Sequence, residues 1–261
     1  MDSSIQVSLV SNAGVLLQIG TEKILLDALW QQSADYSAPP SAIYEQMLNG
    51  AADSKWRNAD YLLFTHLHND HFAQNKVIEY LEHNSVRAVW FERPDCLYDN
   101  IGDSSLLLTY LQVSDVAYRA FNLQRGQYKR IELSDTLAIT AICTEHMGIN
   151  AHQDHIAIVV HSDSKNILFV TDAEFPLAIF KQALVDIQLD AVFLNPVHFY
   201  SRRALNFVVE ELAAKKLVVY HLPFAGEGNS VFRRMVMKKL PAISERLPVQ
   251  VLWNVGDCVT I

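Results

Sequence analysis

The sequence has few cysteines and no pattern that would pair them. Its three cysteines, Cys96, Cys143 and Cys258, lie far apart in the chain, and none belongs to a Cys-x-x-Cys pair. This usage argues against a disulfide framework and is typical of a reducing compartment. We therefore expect a cytoplasmic protein that depends on a hydrophobic core for its stability.

Long apolar runs are also absent. No stretch of about 18 uninterrupted apolar residues occurs, so the sequence predicts no membrane-spanning helix and no membrane partner. The opening residues, MDSSIQ, contain no basic region followed by an apolar segment. We therefore expect no signal peptide.

Positive charge is scarce. The chain has 21 Lys and Arg residues against 29 Asp and Glu residues, which gives a formal net charge of -8. This balance disfavours nucleic acid as the main partner, although it leaves room for a local basic pocket that binds a small anion. A Gly-x-Ser-x-Gly motif is absent too, so the sequence offers no serine-nucleophile elbow.

The composition indicates one well-packed domain. At 261 residues and 50% hydrophobic content, the chain is long enough to bury a sizeable core. No composition shift or Gly/Ser-rich linker divides it, so we predict a single domain over residues 1–261. Strand-like and helix-like segments interleave along the chain, which predicts the α/β (α+β) class with sheets covered by helices.

The most informative stretch contains three histidines and an aspartate within six positions. His66, His68, Asp70 and His71 follow an apolar strand-like run and precede a helical pattern. His66 and His68 are two apart in an extended segment, so their side chains share a face. Because imidazole and carboxylate groups suit zinc, iron or manganese, this stretch predicts a transition-metal site rather than a solvated loop.

Further metal-competent residues follow apolar strands later in the chain. These are His146, Asp172 and His221, and each has an alternative interpretation. His146 competes with His152 and His155 in the same polar segment. Asp172 could instead cap a helix, and His221 could be a hydrogen-bonded core histidine.

Other polar residues have weaker assignments. Asp27 ends the third predicted strand and could cap a turn or orient a ligand histidine; we favour the structural role. His198 and Tyr200 follow another strand and are candidates for substrate contact, with a structural role as the alternative. His83 and His161 are expected at the surface.

The pattern His66-x-His68-x-Asp70-His71 after an apolar strand resembles the signature of the metallo-β-lactamase superfamily. The later residues His146, Asp172 and His221 occur in that family's order. The resemblance implies a four-layered αβ/βα sandwich with two metal ions. The implied ligands are His66, His68 and His146 for one ion, Asp70, His71 and His221 for the other, and Asp172 bridging both.

The resemblance also implies an activity, that of a metal-dependent hydrolase with two divalent ions. Zinc is the first choice of metal, with manganese or iron as alternatives. A metal-bridged hydroxide would cleave a small-molecule ester, lactone, thioester or phosphoester, and Asp70 would orient the nucleophile and pass a proton to the leaving group. The pattern is closer to the small-molecule and lactonase-like hydrolases than to the antibiotic-cleaving enzymes.

Two other activities of the superfamily remain as alternatives. One is a nucleic-acid phosphodiesterase or nuclease, which the acidic charge balance disfavours. The other is an iron-dependent oxidoreductase similar to the persulfide dioxygenases. A flavodiiron protein is disfavoured because those relatives carry glutamate where this chain has His68.

Overall fold

The computed structural model describes residues 4–32, 36, 39–92, 102–148, 153–162, 165–224 and 230–261. Its backbone contacts define two compact units. The first, formed by Ile5–Asn122 and Asn254–Thr260, is called the N-terminal unit below. The second, formed mainly by Leu123–Trp253, is called the C-terminal unit. The expectation of one domain over residues 1–261 remains an expectation.

The N-terminal unit is built on a seven-stranded sheet with the strand order β14-β1-β2-β3-β4-β5-β6. Strands β14, β1, β2 and β3 pair antiparallel, whereas β3, β4, β5 and β6 pair parallel. The strands are β1 Ile5–Leu9, β2 Val15–Ile19, β3 Glu22–Leu26, β4 Tyr61–Leu63, β5 Ala88–Trp90, β6 Ala117–Arg119 and β14 Cys258–Thr260.

Helices connect the parallel strands of this sheet, as parallel pairing requires. They are α1 Ser41–Asn49, α2 Gln74–His83 and α3 Ser105–Val113. Helix α2 carries Val77, Tyr80 and Leu81 at helical spacing, and all three side chains are buried. They join a core cluster with residues of the parallel strands, including Leu62 and Val89.

The C-terminal unit contains a second seven-stranded sheet, with the order β13-β12-β11-β10-β9-β8-β7. Its strands are β7 Tyr128–Glu132, β8 Leu137–Glu145, β9 Asp154–Ser162, β10 Lys165–Thr171, β11 Ala191–Leu194, β12 Leu217–Val219 and β13 Val249–Val251. Its helices are α4 Ala178–Ala183, α5 Arg202–Asn206 and α6 Ser230–Ser244, with a 3₁₀ helix Pro196–Tyr200 and a π-helical turn Phe207–Glu211.

The strand directions in this sheet determine which chain segments meet at its edge. Strands β7 to β10 pair antiparallel in sequence order, and β10 to β13 pair parallel. Strand β8 therefore runs in the same direction as β10, β11 and β12. The residues that follow these four strands lie at one edge of the sheet, where ligands bind in many α/β proteins.

The predicted α/β class is confirmed, since each unit consists of a mixed sheet with helices. The structure corrects several boundaries. The sequence of residues 203–214 predicts a single helix, whereas the structure has α5 followed by the π-helical turn. The sequence also gave no signal for the short 3₁₀ helix or for β14, because a three-residue strand is too short to show a period. No helix in the described residues is long and apolar enough to cross a membrane.

His161 lies in a buried position in β9, which corrects the expectation that it is at the surface. The Thr140 hydroxyl lies 2.8 Å from its Nε2 atom, and the Asn166 side-chain oxygen lies 2.7 Å from its Nδ1 atom. Both partners sit on the strands that flank β9. The two hydrogen bonds explain how a polar ring is accommodated in a buried strand.

The burial of His161 predicts a pH-dependent contribution to stability. Burial lowers the pKa of His161, although its hydrogen bond to Asn166 opposes this effect. In the unfolded chain, His161 therefore binds a proton below about pH 6.5, whereas in the folded protein it binds one only at lower pH. We expect the free energy of unfolding to fall as the pH drops from 7 to 5, and less steeply in His161→Gln.

Denaturant unfolding at several pH values measures this slope. His83→Gln is the matched control, because His83 is an exposed histidine on α2. The prediction fails if both variants follow the pH dependence of the parent protein.

Candidate metal centre

Asp27 organises the part of the site that belongs to the N-terminal unit. It follows β3 and is fully buried. Its Oδ1 atom accepts a hydrogen bond from the Thr65 amide at 2.8 Å, and its Oδ2 atom accepts one from the Thr65 hydroxyl at 2.7 Å. His71 Nδ1 lies 3.0 Å from the same Oδ2 atom. The structure therefore favours the role of orienting a ligand histidine for Asp27, rather than the role of capping a turn.

These hydrogen bonds select the tautomers of two histidines. A carboxylate oxygen only accepts, so His71 donates from Nδ1. The Thr65 hydroxyl donates to Asp27, so the His66 Nδ1 atom, 3.0 Å from that hydroxyl, is the donor in the Thr65–His66 pair. In both rings, Nε2 is then the nitrogen that can bind a metal ion. This carboxylate-to-histidine arrangement is common around protein metal sites.

The local backbone of the histidine motif differs from the prediction. Strand β4 ends at Leu63 and α2 begins at Gln74, so the whole motif lies in the connection between them. The amides of His71 and Phe72 both donate to the His68 carbonyl, which closes a tight turn. Although His66 and His68 are not in a strand, their ring centroids are only 4.5 Å apart.

Asp70 is the most accessible member of the motif. Its side chain is 19% exposed, whereas the side chain of His71 is 0% exposed. The Asp70 Oδ2 atom lies 3.8 Å from His71 Nε2. These two atoms could therefore share an ion, with the carboxylate still reachable from solvent.

Asp172 plays the corresponding part in the C-terminal unit. It follows β10, and its two carboxylate oxygens approach two different histidines. Asp172 Oδ2 lies 3.7 Å from His146 Nε2, and Asp172 Oδ1 lies 3.4 Å from His221 Nε2. Two ligands that each bind a tetrahedral ion at about 2.1 Å are about 3.4 Å apart. The spacing therefore suits one ion on each side of this carboxylate.

His146 follows β8, as predicted, and its ring orientation is restrained. Its Nδ1 atom donates to the Met147 carbonyl at 2.7 Å, which makes Nε2 the ligating nitrogen. Outside the named strands, His146 forms an isolated antiparallel β-bridge with Ala173, the residue after Asp172. The Met147 amide also donates to the Asp172 carbonyl at 2.8 Å. Backbone pairing therefore holds His146 next to Asp172.

His155, the competitor of His146, has a different role in the structure. It is fully buried at the start of β9. Its Nε2 atom lies 2.5 Å from the Thr171 hydroxyl and accepts from the Asp172 amide at 3.3 Å. Because Nε2 is engaged in holding the turn before Asp172, the structure favours His146 as the ligand. The third candidate, His152, lies outside the described residues.

Asn195 holds the carboxylate of Asp172 from the other neighbouring strand. Its side-chain nitrogen donates to Asp172 Oδ1 at 2.5 Å. The register of β10 and β11 explains the contact, because Thr171 pairs with Leu194 and each is followed by one of these two polar residues. Strands β9 and β11, which flank β10, thus each supply one side chain that positions Asp172.

In each unit, residues at or just after strand ends adopt a left-handed backbone conformation. They are Asp27 with φ 51°, Thr171 with φ 48° and His221 with φ 58°. Such conformations cost non-glycine residues about 1–3 kcal/mol and cluster at functional sites. For the β-branched Thr171, the hydrogen bond to His155 compensates part of this strain.

The structure places the two predicted substrate residues in different environments. His198 is buried, and burial lowers its pKa to about 4 despite the nearby Asp172 and a hydrogen bond to the backbone of Thr171. The ring is therefore neutral near pH 7. Tyr200 is 61% exposed and lines a groove of about 560 Å³ along α6. His146, Asp172 and His221 do not line that groove.

Sequence reasoning missed Thr65 and Asn195 and treated His155 only as a rival ligand. One available signal was the position of Asn195, a polar residue that directly follows a buried strand next to β10. Polar residues at the ends of adjacent parallel strands are expected to meet. No comparable signal exists for His155, because its role depends on the pairing of β9 with β10.

The comparisons with known proteins agree with this geometry. The profile of the metallo-β-lactamase superfamily matches residues 9–222. The chain therefore belongs to this superfamily, and the predicted fold class is confirmed. Its clusters of His and Asp side chains could bind metal ions. No curated protein sequence matches the chain.

Three similar solved structures belong to proteins that are named for different activities. The isothiocyanate hydrolase from Delia radicum gut bacteria is 14% identical with a TM-score of 0.60, covering 97% of this chain and 98% of that one. Human tRNase Z, short form, is 11% identical with a TM-score of 0.59, covering 97% and 98%. The diiron β-hydroxylase CmlA from Streptomyces venezuelae is 15% identical with a TM-score of 0.62, covering 100% of this chain but 54% of that one. At these identities, the likeness shows the fold alone.

The hydrogen bonds of Asp27 predict that it tunes metal affinity. In Asp27→Asn, one accepting oxygen becomes an amide nitrogen, so the side chain can no longer accept from the Thr65 amide, the Thr65 hydroxyl and His71 together. Loss of such a partner typically weakens metal binding about 10- to 100-fold. We expect a loss of this size in a competition titration with a chelator.

Asp60→Asn is the control for this experiment. Asp60 also accepts a backbone hydrogen bond, from Lys23 at 2.8 Å, and it pairs with Arg87, but it contacts no histidine in the described structure. Circular dichroism verifies that both variants fold. An equal loss of metal affinity in the two variants would contradict the assigned role of Asp27.

Proposed function

We propose that this protein is a hydrolase with two divalent metal ions that cleaves a small-molecule ester, lactone, thioester or phosphoester. Seven side chains would hold the ions. The proposed ligands are His66, His68 and His146 for the first ion, Asp70, His71 and His221 for the second, and Asp172 for both. Zinc is the leading metal because most of the proposed ligands are imidazoles, and manganese or iron are the alternatives.

The observation that carries the proposal is the arrangement around Asp172. Its two oxygens lie 3.7 Å from His146 and 3.4 Å from His221, on separate histidine nitrogens. A buried carboxylate that only capped a helix would not need two histidines at ligand spacing. Family membership supports the same assignment, because the matched region includes all seven proposed ligands.

The orientation of the histidines also fits bound metal. His66, His71 and His146 each engage Nδ1 in a hydrogen bond, which directs the lone pair of Nε2 toward the proposed ions. Burial of the three rings keeps them from exchanging freely between rotamers. When bound, divalent ions supply an activated water at neutral pH and polarise the substrate oxygen.

Asp70 is the proposed proton-transfer group. A carboxylate that moves a proton to a leaving group must be reachable by substrate, and the Asp70 side chain is 19% exposed. The Asp172 side chain is only 9% exposed, and its Oδ1 atom is engaged by Asn195. The two aspartates therefore suit different tasks, proton transfer for Asp70 and metal bridging for Asp172.

For His198 and Tyr200, we propose unequal roles in substrate binding. His198 is buried and neutral and bonds to the backbone of Thr171, so its proposed contribution is to support the turn that carries Asp172. Tyr200 is exposed and can contact an extended substrate group along α6. Both assignments are part of the proposal.

A small-molecule substrate is preferred over nucleic acid because of the net charge of -8. Similar folds carry an isothiocyanate hydrolase, a tRNase and a diiron β-hydroxylase, so the panel of test reactions must span these classes. It should contain an ester, a lactone, a thioester, a phosphodiester and RNA, together with oxygen consumption on a persulfide. Cys143 and Cys258 are thiols rather than disulfide partners in the described structure, which supports the proposed cytoplasmic location.

Removing single ligands tests the proposal. We expect His68→Ala and Asp70→Ala to lower hydrolysis of the best panel substrate by more than about 100-fold, since even the loss of an outer partner can cost that much. Metal analysis of the parent protein should find two ions per chain. In His68→Ala, the metal content should fall.

His83→Ala serves as the control, because His83 is an exposed histidine whose ring bonds to the Glu79 carbonyl of its own helix. It should retain the activity and metal content of the parent. Undiminished hydrolysis in His68→Ala or Asp70→Ala would refute the site. Salt-sensitive RNA cleavage without small-molecule hydrolysis would instead establish the nuclease.

A further inference from the structure

We propose that Asn195 is a positioning residue that fixes the carboxylate of Asp172 and thereby determines whether the second metal ion is retained. This inference rests on the proposed binuclear function. Asn195 is not one of the seven proposed ligands. It would nevertheless control whether a metal ion is bound on the His221 side of Asp172.

Asn195 is buried at the end of β11 and has two hydrogen bonds. Its Oδ1 atom accepts from the Val197 amide at 3.0 Å and so caps the 3₁₀ helix Pro196–Tyr200. Its Nδ2 atom donates to Asp172 Oδ1 at 2.5 Å. Since the cap identifies which side-chain atom is the oxygen, the atom facing Asp172 must be the NH₂ group.

The contact is specific to one oxygen of the bridging carboxylate. Asp172 Oδ1, which receives the Asn195 hydrogen bond, is the oxygen that lies 3.4 Å from His221. Asp172 Oδ2 lies on the side of His146 and has no bond to Asn195. Asn195 therefore restrains the half of the carboxylate that would bind the second ion.

The hydrogen bond from Asn195 restrains rotation of the Asp172 carboxylate. The terminal torsion of an aspartate is broad, so an unrestrained Asp172 could turn its oxygens away from both histidines. The first ion would still keep three imidazole ligands, His66, His68 and His146. The second would keep only two imidazoles, on His71 and His221, beside Asp70, so we expect it to depend more on the bridging oxygen.

The two roles of Asn195 can be separated by substitution. In Asn195→Ser, the hydroxyl preserves the cap, because Ser is as good at this position as Asn. The side chain is one bond shorter, however, and it cannot reach Asp172. Asn195→Ala removes both the cap and the contact with Asp172.

The experiment is a Zn²⁺ titration of the metal-free full-length chain against a chromogenic chelator, which gives the number of sites and both affinities. In Asn195→Ser and Asn195→Ala, we expect the weaker site to lose about 10- to 100-fold in affinity, the range found for outer partners of metal ligands. The tighter site should be unchanged. This readout is independent of any substrate.

Ser201→Ala is the matched control. Ser201 caps α5 by accepting from the Ala204 amide at 3.1 Å, and its side chain does not contact Asp172 in the described structure. It should bind both ions as the parent does. The inference is overturned if Asn195→Ser also binds both ions like the parent, or if Ser201→Ala loses the weaker site equally.

The two proposals fail in different ways. If the parent binds two ions and Asn195→Ser does too, only the role of Asn195 is wrong. If the parent itself binds fewer than two ions, the binuclear function is wrong, and the role of Asn195 falls with it.

Discussion

A carboxylate that is buried at the end of a strand is tolerated only when cations or hydrogen-bond donors surround it. Asp172 imposes this requirement on the C-terminal unit. Asn195, which follows β11, donates its side-chain amide to Asp172 Oδ1, while His155 on β9 accepts from the Asp172 backbone amide and so holds the turn. His146 Nε2 and His221 Nε2 lie 3.7 Å and 3.4 Å from the two carboxylate oxygens of Asp172, which is the spacing expected between two ligands of one ion. The pairing of strands β8 to β12 thus brings these five residues together.

The N-terminal unit solves the same problem with a different set of residues. Asp27 also follows a strand in a left-handed conformation, and it too is buried. The Asp27 carboxylate accepts hydrogen bonds from Thr65 and from Nδ1 of His71. Nε2 of His71 is then the nitrogen that could bind a metal ion. A strand-end aspartate can therefore serve as a ligand or as the support of one. Its neighbours decide which.

The sequence indicates the candidate metal ligands more clearly than the residues that position them. The cluster of His66, His68, Asp70 and His71 is local, so its spacing alone indicated metal. His155 and Asn195 act across strand pairs, and the partner strand of a residue cannot be inferred from local periodicity. His161 was misplaced for the same reason, since Thr140 and Asn166 come from the flanking strands. The fold class was predictable because each strand and helix has a local sequence pattern, and the alternation of these elements along the chain indicates the class.

The short strand β14 has a consequence for biosynthesis. It pairs with β1 at one edge of the first sheet, yet its residues, Cys258–Thr260, are synthesised after the whole C-terminal unit. Until Cys258–Thr260 have been synthesised, β1 therefore remains an open sheet edge, and such edges can pair with other chains. The sheet of the second unit can be completed before that point. The short strand β14 thus closes a sheet whose other strands were made much earlier.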